Sequence, residues 1–180
     1  MGNSMNKILP GLYIGSLKDS KDFEQISANN ITHILSILDY PQPKRVFKKI
    51  KYKFIRIADK PHENISKHFK ESIRFIHKAR SLSGNVLVHC LAGVSRSSTI
   101  CIAYLMTIAD LKCMEALKVV HFARKEINPN FGFKAQLQAF ESQGPIKIKN
   151  KLTKRFGEIK LSDIEYIRKV LLDLDKNISY

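Results

Sequence analysis

Asn85-Val86-Leu87-Val88-His89-Cys90-Leu91-Ala92-Gly93-Val94-Ser95-Arg96-Ser97 is the stretch on which the fold turns. A short apolar run, Val86-Leu87-Val88, delivers a cysteine onto a turn that contains Gly93, and an arginine stands six positions after the cysteine. A helix-like stretch from Arg96 to Asp110 follows. Strand, turn and helix in that order set the turn at a helix N-terminus, where unpaired N–H donors and a partial positive charge gather. Such a terminus binds anions.

The residue types fit one chemistry. A free thiol has a pKa near about 8.5, and only its thiolate attacks. The donors around Cys90 favour that charged form and can then grip phosphate oxygens. Gly93 lets the backbone come close to the anion, and Arg96 presents a planar fork to two oxygens. Fixed donors of this kind lower the barrier as charge shifts in the transition state. The pattern assigns Cys90 as nucleophile and the backbone of Leu91, Ala92, Gly93, Val94, Ser95 and Arg96 as the phosphate cradle. The Arg96 side chain joins it, and Ser97 donates to sulfur when sulfur leaves. His89 is expected to orient the loop through backbone bonding rather than to act as a base. The implied reaction removes phosphate through a cysteinyl-phosphate intermediate.

The leaving oxygen needs a proton, which a carboxylic acid opposite the nucleophile supplies. Tyr52-Lys53-Phe54-Ile55-Arg56-Ile57-Ala58-Asp59 alternates like a strand and runs into the loop Lys60-Pro61-His62-Glu63-Asn64. Asp59, at the junction, is the assigned acid. Glu63 is the second choice and His62 a distant third.

With 180 residues the chain fits one domain. Lys and Arg number 31 against 16 Asp and Glu, a formal charge of +15, which attracts anionic partners. Basic clusters lie at Lys44-Arg45-Val46-Phe47-Lys48-Lys49 and Lys147-Ile148-Lys149-Asn150-Lys151. Three cysteines, Cys90, Cys101 and Cys113, are too few for a disulfide framework, and no zinc-ligand spacing occurs. A reduced, cytoplasmic setting with no metal and no cofactor is expected. Cys101 and Cys113 are expected to be core or surface thiols. Residues 1–20 lack the apolar core of a signal peptide, and the apolar stretch Thr99 to Ala109 is too short for a bilayer.

Periodicity supplies the remaining elements. Ile8–Ile14 reads as an edge strand broken by Pro10-Gly11, and Lys18–Asn29 as a short helix with Ser16 as its cap. Ile31–Leu38 is a β-branched central strand, Tyr40-Pro41-Gln42-Pro43 a loop and Tyr52–Ile57 a strand. Ser66–Ser83 has helical spacing in Phe69, Ile73, Phe75, Ile76 and Ala79. Helices are expected at Met114–Lys125 and Phe133–Ser142, with surface or packing roles for His121 and Arg124. Strands before Cys90 and helices after it argue for an α/β fold, a central mixed sheet of about five strands flanked by helices with a helical C-terminal half. Gly144-Pro145 is expected to end the compact region. Residues 144–180 would then be a basic linker and an amphipathic helix, capped at Ser162-Asp163-Ile164-Glu165 and apolar at Ile164, Ile167, Val170, Leu171 and Leu174.

The run His89-Cys90-Leu91-Ala92-Gly93-Val94-Ser95-Arg96-Ser97 resembles the H-C-x5-R-[ST] signature of the protein tyrosine phosphatase superfamily, in its dual-specificity phosphatase version. The N-terminus, Met1-Gly2-Asn3 and Met5–Gly15, is similar to the small myristoylated atypical members, the Jun-kinase-stimulatory and VH1-like subgroup. The likeness continues through His68–Ile73, Phe75–His77, Ala103–Thr107, Asn128-Pro129-Asn130 and Gly132-Phe133, covers roughly residues 1–142, and leaves the tail outside. It implies a protein tyrosine phosphatase-like fold, a lipidation segment at 1–6, and a catalytic domain at 7–143 acting on phosphotyrosine and phosphoserine/threonine in proteins. By the same likeness Asn130 supports the catalytic loop, and the substrates are phosphoproteins of kinase signalling, MAP-kinase pathway members among them. Gly2 would carry myristate, although Asn6 stands where the usual motif has Ser or Thr. One myristoyl chain binds membranes marginally, and the positive charge would add attraction to an acidic membrane surface. A lipid phosphatase is disfavoured because Leu91, Ala92, Val94 and Ser95 are uncharged. An RNA phosphatase is disfavoured because no aromatic stacking platform is evident, so no nucleic-acid partner is expected. A phosphopeptide-binding scaffold is disfavoured because Cys90, Arg96 and Asp59 are all present.

Overall fold

The structure, a computed structural model, describes residues 4–41, 46–142 and 144–176. Five strands form one sheet: β1 (Asn6–Leu9), β2 (Leu12–Gly15), β3 (Ile31–Leu38), β4 (Lys51–Arg56) and β5 (Asn85–His89), in the order β1-β2-β5-β3-β4. The β1–β2 pair is antiparallel and the other neighbours are parallel. The α/β class and the mixed sheet are therefore as expected. The Ile8–Ile14 stretch differs. It is a hairpin turned by Gly11 at φ +79°, so only β1 lies at the sheet edge, while β2 pairs with β5 inside.

Strand side chains alternate between the two faces. Leu12, Ile14, Val86 and Val88 enter the larger core, whereas Tyr13 and Leu87 enter the smaller one. The smaller core is closed by α1 (Phe23–Ala28) through Ile26 and by Phe47 and Ile50. Ser16 does not cap that helix. Its amide and hydroxyl bind the Asp19 carboxylate at 2.7 and 2.8 Å around a 3-10 turn. Asp22 restarts the chain as α1 by accepting from the Gln25 N–H.

The larger core holds α2 (Phe69–Ser81), α3 (Arg96–Ala109), α4 (Cys113–Ala123) and α5 (Phe131–Glu141). Every α3 residue from Arg96 to Ile108 is buried. Its second half, Ile100-Cys101-Ile102-Ala103-Tyr104-Leu105-Met106, is apolar on nearly every side, which suits a helix enclosed by others. Asp110, left-handed at φ 52°, ends it.

The tail corrects two expectations. The segment from Gly144 is not a linker but helix α6 (Gly144–Phe156), and α7 (Leu161–Lys176) begins one residue before Ser162, which therefore lies within the helix rather than capping it. Packing is the reason. Leu152, Ile167 and Val170 are buried in the larger core, and each such burial is worth roughly 1.5–3 kcal/mol. Asp163 turns inward, and its Oδ1 accepts from Arg80 Nη2 at 2.8 Å. Arg80 also donates to the Tyr104 hydroxyl and to the Pro10 carbonyl. One buried guanidinium thus ties α7, α3 and the β1–β2 turn together.

Removing one partner of a buried ion pair leaves the other charge uncompensated, at a cost of about 3–5 kcal/mol. Asp163→Ala is expected to lower the unfolding free energy by roughly 3 kcal/mol in urea titrations. An unchanged midpoint would mean that α7 is not docked through this pair.

Candidate active site

β5 ends at His89 and α3 begins at Arg96, so Cys90–Ser95 is a loop at the carboxyl end of the middle strand. Parallel sheets bind ligands at that end. The loop curls around the cysteine. The Gly93 N–H donates to Cys90 Sγ at 3.3 Å, and Ser97 Oγ lies 3.3 Å from the same sulfur. Gly93 has φ +73°, and a Cβ there would stand 2.6 Å from the Gly15 carbonyl oxygen. Both the turn and the close approach exclude a side chain.

Every carbonyl from Cys90 to Ser95 has a donor. His89 Nδ1 serves Cys90 at 3.2 Å, and the Leu17 N–H serves Leu91 at 3.1 Å. Arg124 Nη2 and Nε serve Ala92 and Gly93 at 3.2 and 3.0 Å, and the Asn128 N–H serves Val94 at 2.9 Å. The Ser98 and Thr99 hydroxyls serve Ser95, both at 2.8 Å. In a planar trans peptide the N–H points opposite to the carbonyl of the preceding residue. Carbonyls of 90–95 held by the surrounding protein therefore turn the N–H groups of Leu91 to Arg96 the other way, to the side where Gly93 meets the sulfur.

His89 is neutral in this setting. Burial pushes its imidazole down to about 4. With Nδ1–H spent on the Cys90 carbonyl, Nε2 accepts from the Ser36 hydroxyl at 2.7 Å. This is an orienting geometry.

Arg96 is buried, and its Nη1 donates to the Ile57 carbonyl at 3.1 Å and to Asp39 Oδ1 at 3.4 Å. Its Nε has no hydrogen-bond partner among the described residues and stands 4.0 Å from Asp59 Oδ2. Asp59 is held from the other side, where Oδ1 accepts from Ser95 Oγ at 2.6 Å and from Asn130 Nδ2 at 2.8 Å. Asn130 Oδ1 also caps α5 by accepting from the Phe133 N–H. A Cβ on Gly132 would come within 1.9 Å of the Pro61 carbonyl oxygen, so the start of α5 lies against the Asp59 loop. Asp39, Asp59, Lys60, Cys90, Leu91 and Arg96 are among the residues lining the resulting pocket of about 300 Å³.

The structure thus brings together Cys90, the Leu91–Arg96 backbone, Ser97, His89, Asp59 and Asn130. Glu63 and His62, the alternative acids, do not line the pocket. Gly2 lies outside the described residues. Asp39, Ser36, Lys60 and Arg124 belong to the surroundings and were not anticipated in these places. Arg124, expected at the surface or in packing, is buried and grips the loop. Asp39 follows strand β3 much as Asp59 follows β4, and that parallel was the available signal for it. Cys101 is enclosed in α3, where burial pushes its thiol up, and Cys113 is buried at the start of α4.

The chain is similar to known proteins along most of its length. Residues 12–143 match the family described as dual specificity phosphatase, catalytic domain. Dual specificity protein phosphatase 22 of Homo sapiens is 49% identical over 171 residues, spanning 95% of this chain and 92% of that protein. Dual specificity protein phosphatase 15 of Mus musculus is 47% identical over 171 residues, spanning 95% of this chain and 72% of that protein. The crystal structure of DUSP15 superimposes with a TM-score of 0.83 at 47% identity, covering 87% of this chain and 99% of that one.

Two measurements follow from the geometry. Arg124→Met removes the donors of the buried Gly93 carbonyl and the part-buried Ala92 carbonyl, and a buried carbonyl left unpaired costs about 1–3 kcal/mol. It should lower stability by that order and change the rate of Cys90 alkylation; a stable variant with an unaltered rate would mean that Arg124 does not hold the loop. Burial likewise pushes His77 down to about 4, as it does His89, against about 6.5 in an unfolded chain. Between those values the unfolded chain binds more protons, so stability is fully present above about 6.5 and falls as pH drops towards 4. Urea midpoints should decline across that window, and His77→Asn should flatten the slope; an equal slope in the variant would assign the effect to other groups.

Proposed function

The chain belongs to the dual specificity phosphatases, and from that premise we propose that it hydrolyses phosphotyrosine and phosphoserine/threonine in proteins through a cysteinyl-phosphate intermediate. The observation that carries the reading is the loop whose carbonyls of residues 90–95 are all bound by surrounding donors, leaving amides, the Cys90 sulfur and Arg96 Nε on the pocket side.

Cys90 Sγ attacks phosphorus in line with the leaving oxygen, forming the S–P bond as the P–O bond breaks. The Leu91–Arg96 amides and the Arg96 guanidinium hold the three remaining oxygens. Asp59 supplies the leaving group's proton. Its Oδ1 is occupied by Ser95 and Asn130, so Oδ2 is the oxygen available to carry that proton. The same carboxylate then takes a proton from the water that cleaves the S–P bond, while Ser97 Oγ, 3.3 Å from the sulfur, donates to the departing thiolate. The uncharged side chains of Leu91, Ala92, Val94 and Ser95 give no extra cation for a multiply phosphorylated lipid headgroup.

Kinase-pathway phosphoproteins are the substrates this reading favours, MAP-kinase pathway members included. It also assigns myristate to Gly2 and a place at an acidic cytoplasmic membrane surface, supported by the Met1-Gly2-Asn3 start and the net charge of +15. Among the described residues no helix is long and apolar enough to cross a membrane, so membrane contact would rest on those two features.

Turnover of phosphotyrosine and phosphothreonine peptides in the presence of EDTA and reductant tests the reading. Cys90→Ser should abolish turnover while phosphate still binds, and undiminished turnover would end the mechanism. Asp59→Ala should slow substrates with poor leaving groups far more than those with good ones; equal slowing of both would assign the proton to another group. Hydrolysis confined to inositides or 5′-triphosphate RNA would overturn the substrate class.

A further inference from the structure

Away from the catalytic pocket, α2 carries a row of cations. Lys70, Arg74 and Lys78 recur every four residues on one helix face, a row about 12 Å long at 1.5 Å per residue. Like charges at that spacing work against a helix. Lys67, one turn earlier, extends the row towards the Asp59 loop, since its N–H donates to Asn64 Oδ1. Across from the row, α6 presents Lys151 and Arg155, again four apart. Among the described residues none of these six side chains has a carboxylate within 4.0 Å. Glu71, the acid nearest in sequence, is already engaged by Lys53 and His68.

Concave surface flanks this row on both sides. A groove of about 510 Å³ lies towards strand β4; Phe75 is its apolar lining residue, and its cations outnumber the Glu71 carboxylate, which Lys53 and His68 already neutralise. A second, of about 320 Å³, lies towards α6 and is lined by Ile148, Leu152 and Phe156. Lys70 and Arg74 border both. Apolar lining under a cationic rim differs from the purely charged face that solvation alone would leave.

We infer that this double groove is a docking surface for an acidic segment of a protein partner, one that carries an apolar side chain between its carboxylates. Charge complementarity sets the sign of the occupant, and the Phe75 and Leu152 floors take its apolar residue. Strand β4 is the sheet edge on the groove side, whereas Ser4, the first described residue, hydrogen-bonds to Arg124 beside β1, at the opposite edge. Both grooves are concave rather than flat, which suits a peptide segment better than a membrane surface. The row ends beside the Asp59 loop, where the Ser66 N–H donates to Gln136 Oε1 and Gln136 donates to the Glu63 carbonyl. A segment docked on the row would thus lie next to the catalytic pocket without entering it.

Fluorescence anisotropy of the full chain with a labelled, phosphate-free peptide tests this, with leucine and phenylalanine set among glutamates. Because the probe carries no phosphate, the outcome is independent of the catalytic reading. Lys70→Glu/Arg74→Glu should weaken binding by about tenfold or more, and Lys151→Glu/Arg155→Glu should also weaken it. Arg168→Glu/Lys169→Glu on α7 changes net charge by the same amount and should weaken it by less than about twofold. All three pairs should keep turnover of a small aryl phosphate, which shows that the fold is intact. Equal weakening by the α7 pair would reduce the effect to net charge and overturn the docking surface. Absence of peptide binding, with groove-dependent binding to phosphatidylserine vesicles instead, would overturn it in favour of a lipid surface.

Discussion

Satisfying the outward carbonyls of the Cys90–Ser95 loop is the constraint on which the rest of this structure depends. A loop that aims consecutive amides at one point must turn its carbonyls into the protein, and a buried carbonyl left unpaired costs about 1–3 kcal/mol. Even a few such carbonyls together amount to a large share of the roughly 5–15 kcal/mol by which a domain is stable. The donors come from parts of the chain far apart in sequence: Leu17 after β2, Arg124 after α4, Asn128 before α5, and the first turn of α3 itself. The sheet and the helices must therefore be assembled for the loop to hold its shape. The same arginine reaches back to the Ser4 carbonyl and to Asn6 Oδ1, so the first strand is tied into the arrangement.

This constraint explains why α3 changes character along its length. Its first turn, Arg96-Ser97-Ser98-Thr99, is polar and buried: Ser97 faces the sulfur, Ser98 and Thr99 cover the Ser95 carbonyl, and Arg96 reaches the Ile57 carbonyl and Asp39. From Ile100 onward no loop group remains to be served, and the helix turns apolar against β5, α2 and α5. A polar turn of this kind, followed by an apolar helix, is the local record of a site built at a helix N-terminus in the middle of a core.

The loop and its helix were legible in the sequence for the same reason, since strand end, cysteine, glycine, arginine and helix lie within one short run. Asp59 was legible because an alternating strand delivers it to a loop. What escaped depends on contacts between distant segments. Arg124 is an arginine near a helix end, and nothing in its neighbours predicts that it closes on Ala92 and Gly93. Asp39 reaches Arg96 because β3 runs parallel to β5 beside it, so that its end lies next to the loop leading into α3. In the tail, the basic residues of 147–154 suggested a linker, yet Leu152 is buried and Ile148 and Phe156 pack beside it, which docks α6 on the formed core. The Pro10-Gly11 break hid a hairpin, because periodicity alone does not separate a kink within one strand from a turn between two.

The buried arginines state the division of labour most plainly. Arg80, Arg96 and Arg124 are each about 95% enclosed. Arg80 spends its donors on Asp163, Tyr104 and Pro10, and Arg124 on two loop carbonyls, Ser4 and Asn6. Among the described residues Arg96 donates through Nη1 alone, to a backbone carbonyl and a half-exposed aspartate, and its Nε has no partner. A buried donor without a partner is destabilising in a folded chain, and a fold that satisfies its other two buried guanidiniums has the means to satisfy a third. On the proposed reading, the donor left open at Arg96 is the one a phosphate oxygen would take. On that reading, binding strength at the pocket and the structural deficit at Arg96 are two sides of one interaction.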